Sequence, residues 1–136
     1  MAVRKVSYVD LKVPNRGGQA ARILGALEEA GIDLLAFTGF PAGAGRSQID
    51  LVTDDIGAVR RVARKQGWRL GRTKRGFLVQ GRNRVGAVRR GIQGLAEAGV
   101  NITALDAVAA SRGEYGMIFW VKPRDYARAA RALGAR

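Results

Sequence analysis

The sequence repeats itself with a period of 68 residues, and this internal repeat constrains the fold more than any other feature. Shifting the chain by 68 positions places Asn15-Arg16-Gly17-Gly18 over Asn83-Arg84-Val85-Gly86 without a gap. The same shift places residues 27–34 (LEEAGIDL) over residues 95–102 (LAEAGVNI). Because the 136 residues accommodate two such copies, we predict two domains of one fold, residues 1–74 and residues 75–136.

The first copy contains an ordered series of periodic segments. Val9, Leu11 and Val13 alternate with polar residues, as in a half-buried strand. A helix follows with apolar residues at positions 20, 23, 24, 27 and 30, and Gly31 stands where a left-handed C-terminal cap is expected. Strands over 34–40 and 47–52, a second helix capped by Asp54 or Asp55, and a fourth strand at 68–71 complete the order β-α-β-β-α-β.

The second copy predicts the same order, except that its last strand is missing. Strands are predicted over 77–81, 102–109 and 115–121, with one helix on Val88, Ile92 and Leu95 and another on Tyr126, Ala130 and Leu133. The predicted fold class is therefore α+β, with two ferredoxin-like βαββαβ units in tandem, the second lacking its last strand. The missing strand and the apolar positions 116, 118 and 120 predict a sheet edge and a sheet face that need a partner, and we expect a homodimer.

The composition excludes several classes of chemistry. There is no cysteine and no histidine, which removes thiolate and histidine metal ligands, Ser-His-Asp relays and disulfides. No catalytic residue, metal site or cofactor is predicted. The longest stretch without a charged residue spans residues 34–45, whereas a membrane-spanning helix needs about 20 apolar residues. We expect no membrane segment and a cytoplasmic location.

The net charge of +13 raises the alternative of a nucleic-acid partner. Residues 56–96 contain twelve Lys or Arg and no Asp or Glu, although the arginine excess is also typical of compositional bias. Residues 112–120 (RGEYGMIFW) distantly resemble the RNP1 strand of RNA-recognition modules. The register of the repeat places Tyr115 and Met117 over Ser47 and Ile49, however, so we predict that both residues lie in the core rather than on a stacking platform.

Two segments of the second copy, residues 83–88 (NRVGAV) and 98–102 (AGVNI), resemble the ACT domain, a ferredoxin-like module that binds amino acids and regulates metabolic enzymes. They resemble the serine-binding regulatory ACT domain of phosphoglycerate dehydrogenase, where an Asn-Arg-Pro-Gly turn and a Gly-Val-Asn-Ile segment carry the ligand site. The resemblance spans nearly the whole chain as a tandem pair. It implies ligand-binding residues in both copies: Asn83, Arg84, Val85, Gly86, Asn101 and Ile102 in the second, and Asn15, Gly17, Gly18, Asp33 and Leu34 in the first.

The chemistry of these residues is compatible with an amino-acid ligand. Backbone N–H groups at a helix N-terminus bind a carboxylate, and amide or carbonyl oxygens bind an ammonium group. The sequence departs from the family pattern where Val85 and Gly17 replace proline and where Asp33 replaces asparagine. An ionised aspartate only accepts hydrogen bonds, so the first copy either prefers a cationic group or has lost amino-acid binding. As an alternative, asparagine or aspartate after glycine serves only as a turn residue.

The resemblance implies a non-enzymatic regulatory protein that senses an amino acid at ACT domain interfaces and acts on a regulated enzyme partner. Two other classes stay open at this point. One is a nucleic-acid-binding protein with a basic ferredoxin-like surface, and the other is a protein-interaction subunit without a ligand.

Overall fold

The computed structural model describes all 136 residues, and the chain divides into two compact units. The first unit comprises residues Ser7–Lys74, and the second comprises Met1–Val6 together with Arg75–Arg136. Both units combine antiparallel strand pairs with two helices, so the predicted α+β class is confirmed.

The first unit has a three-stranded antiparallel sheet in the order β2-β3-β1. Its elements are β1 (Ala2–Pro14, which begins in the second unit), α1 (Gln19–Glu29), β2 (Ala36–Gly43), β3 (Arg46–Thr53) and α2 (Ile56–Gln66). One sheet face carries Val9, Leu11 and Leu51, which form a buried cluster with Ile23, Leu27 and Val59 of the two helices. Alternation along β1 and β3 therefore places the apolar face under the helices, as the sequence predicted.

The second unit has the same element order. It contains β4 (Lys74–Arg82), α3 (Ala87–Glu97), β5 (Ile102–Ala110), β6 (Glu114–Val121) and α4 (Tyr126–Leu133), with short 3-10 turns at Ser111–Gly113 and Pro123–Asp125. Its core contains a stack of aromatic rings, because the Phe77 ring lies 5.2 Å from that of Phe119 and 4.8 Å from that of Tyr126. Tyr115 and Met117 belong to this core, which confirms their predicted burial.

The 68-residue repeat recurs in the backbone hydrogen bonds of the two units. The N–H of Asn15 donates to the carbonyl of Gly45, and that of Asn83 donates to Gly113, both at 2.8 Å. The two non-glycine residues with a positive φ, Ala44 at +53° and Arg112 at +63°, are also 68 positions apart.

The prediction that the second copy ends with an uncompleted sheet is corrected by the first residues of the chain. Val3 is buried in the same cluster as Phe77 and Val79, and Met1 lies against Gly81. β1 is the neighbour of β4 in the sheet, with the strand order continuing β4-β6-β5. Residues 2–6 thus take the position of the missing strand, and the 1–74 boundary differs from the observed unit by these residues.

The predicted fourth strand of the first copy is wrong. Residues 68–73 form no strand, and β4 begins at Lys74. The N–H of Gly71 still donates to the carbonyl of Asp10 at 2.8 Å, so this segment runs beside β1 without forming a ladder. Trp68 and Leu70 pack against the core of the first unit, which fixes the segment through its side chains.

Two predicted apolar surfaces also differ from the structure. The buried residues of α3 are Ala87, Gly91 and Leu95, whereas Val88 is exposed and Ile92 is only half-buried. Ile118 was expected to need a partner, but it is already buried opposite Leu78. Gly116 and Trp120 on the same face are half-buried, so the need for a second chain at this face stays a prediction.

The predicted helix-capping residues are confirmed at Asp55 and Gly31. The carboxylate of Asp55 accepts a hydrogen bond from the N–H of Ala58 at 3.0 Å and caps α2. Gly31 and Gly99 follow α1 and α3 with φ near +70°. No helix of the structure has both the length and the apolar character needed to cross a membrane.

Candidate functional site

The turn between β4 and α3 in the second unit presents backbone donors. Its last residue, Gly86, has φ of +83°, a conformation that costs little without a Cβ. No side chain caps α3, and its first turn contains no acidic residue. The first N–H groups of a helix have no partner within the helix, and they carry a partial positive charge. The N–H of Ala87 donates to the carbonyl of Arg84 at 2.9 Å, so the N–H groups of Val88 and Arg89 are the donors that suit a carboxylate.

The equivalent turn in the first unit has the same backbone but a different side-chain environment. Gly18 has φ of +89° and precedes α1, which likewise has no side-chain cap, and Gly17 is exposed beside it. The Oδ1 of Asn15 accepts a hydrogen bond from the hydroxyl of Ser47 at 3.0 Å. Asn15 thus has the structural role of a turn residue that is tied to the β2–β3 hairpin.

Asn83 lacks this tie, although its backbone bond is the same. The position that corresponds to Ser47 is Tyr115, a buried residue with a larger side chain. The side chain of Asn83 is exposed and makes no hydrogen bond to the protein. Its amide is therefore available to a ligand, whereas the Oδ1 of Asn15 already has a partner.

The remaining predicted residues lie where the edge strands start. Asp33 and Leu34 precede β2 beside a cavity of about 360 Å³ that is also lined by Leu24 and Leu27. The main-chain carbonyl of Asp33 accepts a hydrogen bond from the hydroxyl of Thr53 at 2.8 Å. Its carboxylate is exposed.

In the second unit, Asn101 is exposed and Ile102 is the half-buried first residue of β5. Neither residue contacts the turn that contains Asn83. Helix α3 separates the two groups, since its eleven residues span roughly 16 Å at the rise of an α-helix. One small amino acid therefore cannot contact both Asn83 and Asn101 of the same unit.

A small cavity beside the β4–α3 turn was not predicted from the sequence. It measures about 190 Å³ and is lined by Met1, Arg82, Arg84, Ala87, Arg90 and Tyr115. No carboxylate lines it. The guanidinium of Arg90 is held in place, because its Nη2 donates to the carbonyl of Val85 at 2.9 Å. The side chain of Val85 is 98% exposed and takes no part in the cavity.

A sequence signal for this cavity exists, although it is weak. At the 68-residue shift Arg82 lies over Pro14, so the first copy lacks this arginine. The counterpart of Arg90 is Arg22, which donates to the Oε1 of Gln19 at 2.8 Å instead. The cavity is therefore a feature of the second unit.

A second polar cluster lies on the sheet of the first unit. Asp50 is 1% exposed, and its carboxylate accepts hydrogen bonds from Thr38 and Gln48, both at 3.0 Å. Asp10 pairs with the ammonium group of Lys74 at 3.1 Å. Burial, with added repulsion from Asp50 and Asp10, raises the pKa of Tyr8 to about 12.

In the second unit, the guanidinium of Arg75 lies 4.0 Å from the ring centroid of Tyr126. Burial raises the pKa of the Tyr126 phenol, and Arg75 opposes this shift. No group of three or more His, Cys, Asp or Glu residues is arranged to hold a metal ion.

Comparison with known proteins yields structural relatives only. No family model matches the chain, and no curated protein matches it. A solved structure of a protein from Bacteroides thetaiotaomicron superposes with a TM-score of 0.79 at 15% identity, covering 97% of this chain and 88% of the other.

Two further matches have names that state a function. The regulatory subunit of aspartate kinase from Thermus thermophilus, in its ligand-free form, matches with a TM-score of 0.63 at 20% identity. A structure of aspartokinase alpha and beta subunits matches with a TM-score of 0.65 at 18% identity. Both matches cover 98% of this chain and 95% of the other. At these identities the matches establish a shared fold.

Proposed function

We propose that this chain is a tandem ACT-domain protein that binds an amino acid and regulates an enzyme without catalysing a reaction itself, acting in the cytoplasm. The proposal is supported by the fold shared with a regulatory subunit of aspartate kinase. It is also supported by the residues 83–88 and 98–102, which resemble the ACT ligand site.

One observation carries the proposal, namely the uncapped N-terminus of α3 beside Asn83. The N–H of Ala87 donates to the carbonyl of Arg84 at 2.9 Å, whereas those of Val88 and Arg89 have neither a side-chain cap nor an acidic neighbour in the first turn. A ligand carboxylate would satisfy them, and the Oδ1 of Asn83 would accept a hydrogen bond from the ammonium group. Asn83 requires no rearrangement for this role, because its side chain has no partner in the protein.

A second copy of the chain would complete the site. Helix α3 separates Asn83 from Asn101 within one unit. A ligand that contacts Asn83 of one molecule can therefore contact Asn101 only from another molecule. The edge strands provide the means for such pairing: β5 is the edge of its unit, and most of its residues are exposed. An unpaired strand edge offers N–H and C=O groups to a second chain. We therefore expect a homodimer that is formed by extension of a sheet.

The two units would not contribute equally. In the first unit, Asn15 is bonded to Ser47, and Asp33 replaces the asparagine of the second unit. An ionised carboxylate at this position accepts from an ammonium group but repels a carboxylate. We expect the second unit to hold the amino acid and the first to bind it weakly or not at all.

Regulation would follow from differential binding. A ligand that contacts two copies favours the arrangement in which both contacts form, and it shifts the population by no more than its difference in affinity for the two arrangements. The regulated enzyme would recognise one arrangement. The excess of basic residues between positions 56 and 96 suits an acidic partner surface.

A thermal-shift screen of the purified chain against the common amino acids tests the proposal. We expect one or two amino acids to raise the Tm, in about 0.3 M salt so that nonspecific ionic effects are screened. A ligand at about 100 times its Kd adds roughly 2.7 kcal/mol to the stability. Asn83→Ala and Asn101→Ala should each remove the shift. Gln66→Ala, at an exposed position at the end of α2, is the control and should retain it.

The outcome that contradicts the proposal is equally clear. If no amino acid shifts the Tm of a folded chain, amino-acid sensing is excluded for it. Sedimentation of the chain with and without the amino acid tests whether a second molecule completes the site. A monomer that binds the ligand at full affinity would show that Asn101 of another molecule is not needed.

A further inference from the structure

We infer that the arginine cavity of the second unit binds the side-chain carboxylate of an acidic amino acid, so that the ligand is an aspartate or a glutamate. The inference rests on the proposed function, because it places the α-carboxylate of the same ligand at the N-terminus of α3. The proposed function requires only an amino acid, whereas this inference also requires a second anionic group on the ligand.

The charges that line the cavity favour an anion. Arg82, Arg84 and Arg90 line about 190 Å³ without any acidic residue. Arg82 and Arg84 form no ion pair within the protein, and both side chains are exposed. A guanidinium group binds a carboxylate through paired N–H donors, and this geometry makes arginine a specific carboxylate ligand. Glu114 stands opposite Arg82 in the β4–β6 register but forms no ion pair with it, so a ligand carboxylate would be the direct partner of this guanidinium.

Tyr115 is an independent indication of a ligand. Its side chain is 5% exposed and lines the cavity, yet its hydroxyl makes no hydrogen bond to the protein. A Cβ placed on Gly91 would lie 3.3 Å from this hydroxyl, so the phenol oxygen lies close to α3. No fully buried side-chain polar atom of the chain lacks a partner, so this oxygen is accessible to solvent although most of the side chain is buried. A carboxylate in the cavity would accept this hydrogen bond.

The position of the cavity connects it to the amino-acid site. Ala87 is the first residue of α3, and it lines the cavity as well. If the α-carboxylate of the ligand binds at the N-terminus of α3, the anionic side chain of the ligand therefore lies in the cavity. Arg90 is fixed by its bond to the carbonyl of Val85, which lowers the entropy lost when it binds the ligand.

The first unit lacks these features, which makes it an internal comparison. Pro14 stands at the position of Arg82, Ser47 at that of Tyr115, and Arg22 is engaged by Gln19. An acidic amino acid should therefore bind to the second unit only. We expect a stoichiometry of one ligand per chain.

Isothermal titration of the full chain with L-aspartate, L-glutamate, L-asparagine and L-glutamine tests the inference. The amides have the same shape and lack the second charge. We expect the acid of the preferred length to bind at least about tenfold more tightly than its amide, which corresponds to about 1.4 kcal/mol. Arg82→Gln should abolish this preference and leave the affinity for the amide within about twofold. Arg131→Gln, an exposed arginine on α4 that does not line the cavity, should change neither affinity.

Tyr115→Phe separates a ligand role from a structural one. The substitution keeps the ring in the core and removes a hydroxyl without a protein partner, so the Tm of the unliganded chain should stay the same or rise. The affinity for the acidic amino acid should fall about three- to tenfold. If the unliganded chain loses stability instead, the hydroxyl has a structural role.

The possible results distinguish the two proposals. If no amino acid binds at all, the proposed function fails. If an amide binds as tightly as its acid, or if Arg82→Gln leaves the preference intact, the inference fails and the proposed function survives. If inorganic phosphate alone binds as tightly as the acidic amino acid and Arg82→Gln removes its binding, the cavity is a simple anion site and the inference is overturned.

Discussion

Asp10 and Asp50 lie directly opposite each other on β1 and β3, although both are acidic and Asp50 is buried. Like charges at facing positions of a sheet are destabilising. Two groups of donors offset the repulsion: Thr38 and Gln48 donate to Asp50, and Lys74 pairs with Asp10 at 3.1 Å. The sheet of the first unit therefore depends on polar partners at its centre.

Lys74→Gln should destabilise the first unit by about 1 kcal/mol, because it leaves the Asp10 charge facing Asp50 without a counter-ion. The ammonium group also lies 5.8 Å from the ring centroid of Tyr8. Adding Asp10→Asn should restore part of the loss. Urea unfolding of the two single variants and the double variant measures the coupling, with the exposed Lys65→Gln as the control. Independent effects of the two substitutions would contradict this account.

The stability of the chain should fall at alkaline pH because of Tyr8. Its pKa is about 12 in the folded chain and 10.0 when free, a rise caused first by burial and then by Asp50 and Asp10. Below pH 10 the phenol is neutral in both states and contributes no pH dependence. Between pH 10 and pH 12 only the unfolded chain loses this proton, so the free energy of unfolding decreases as the pH rises.

Tyr8→Phe provides the measurement for this prediction. Urea unfolding across the alkaline range should show a shallower fall in stability for the variant than for the parent chain. In a pH titration followed by tyrosinate absorbance, the variant should also lack the ionisation step that the parent chain shows near pH 12. Equal slopes for the two chains would show that Tyr8 ionises as a solvent-exposed residue does.

The equivalent asparagines of the two turns should respond differently to alanine. Asn15→Ala removes the hydrogen bond from Ser47 and should cost about 0.5–1 kcal/mol of stability. Asn83→Ala removes no protein contact and should leave the Tm unchanged while it weakens amino-acid binding. Thermal unfolding and titration of both variants test this difference. A large loss of stability in Asn83→Ala would assign that residue a structural role.

Two helical glycines should have opposite effects when replaced by alanine. A Cβ on Gly25 in α1 would meet no atom within 4 Å, so Gly25→Ala should stabilise the chain by up to about 1 kcal/mol through helix propensity. A Cβ on Gly94 in α3 would lie 3.0 Å from the carbonyl oxygen of Ala132 on α4. Gly94→Ala should therefore destabilise by about 1–3 kcal/mol. Denaturant midpoints of the two variants should lie on opposite sides of the parent value.

The β2–β3 hairpin offers a stabilising substitution. Ala44 has φ of +53°, a conformation that costs a residue with a Cβ about 1–2 kcal/mol. Ala44→Gly removes this strain, and after the entropy of the extra glycine in the unfolded state a gain of about 0.5 kcal/mol should remain. Ala42→Gly on the adjacent strand is the control and should destabilise. A lower Tm for Ala44→Gly would contradict the strain argument.

The sequence predicted those parts of the fold that depend on local signals. The cap on α2 at one of the two candidates, Asp55, the left-handed Gly31 after α1, and the burial of Tyr115 all follow from spacing, and all are confirmed. The 68-residue shift was informative because equivalent residues keep the same backbone bonds, as Asn15 and Asn83 do.

Features that depend on contacts distant in sequence were missed. Alternation in residues 2–6 indicates a strand but not its partner, so the contribution of Val3 to the second core could not be derived. The spacing predicts Val88, Ile92 and Leu95 on the buried face of α3, because hydrophobicity favours valine over glycine, and of these three only Leu95 is fully buried. The structure buries Gly91 instead, since a Cβ there would lie 2.9 Å from Met117. The arginine cavity joins β4, α3 and Met1, which no single sequence window contains.

Because residues 2–6 complete the second unit, the order of assembly cannot follow the order of the two copies in the chain. A fragment of residues 75–136 would lack Val3 beside Phe77 and Val79, and would also lose the bond from the Arg136 N–H to the carbonyl of Val3. Closing a loop of this length slows folding more than it lowers stability. During synthesis, residues 2–6 therefore have no strand partner until β4 has been made, and Val3 gains its bond from Arg136 only after α4.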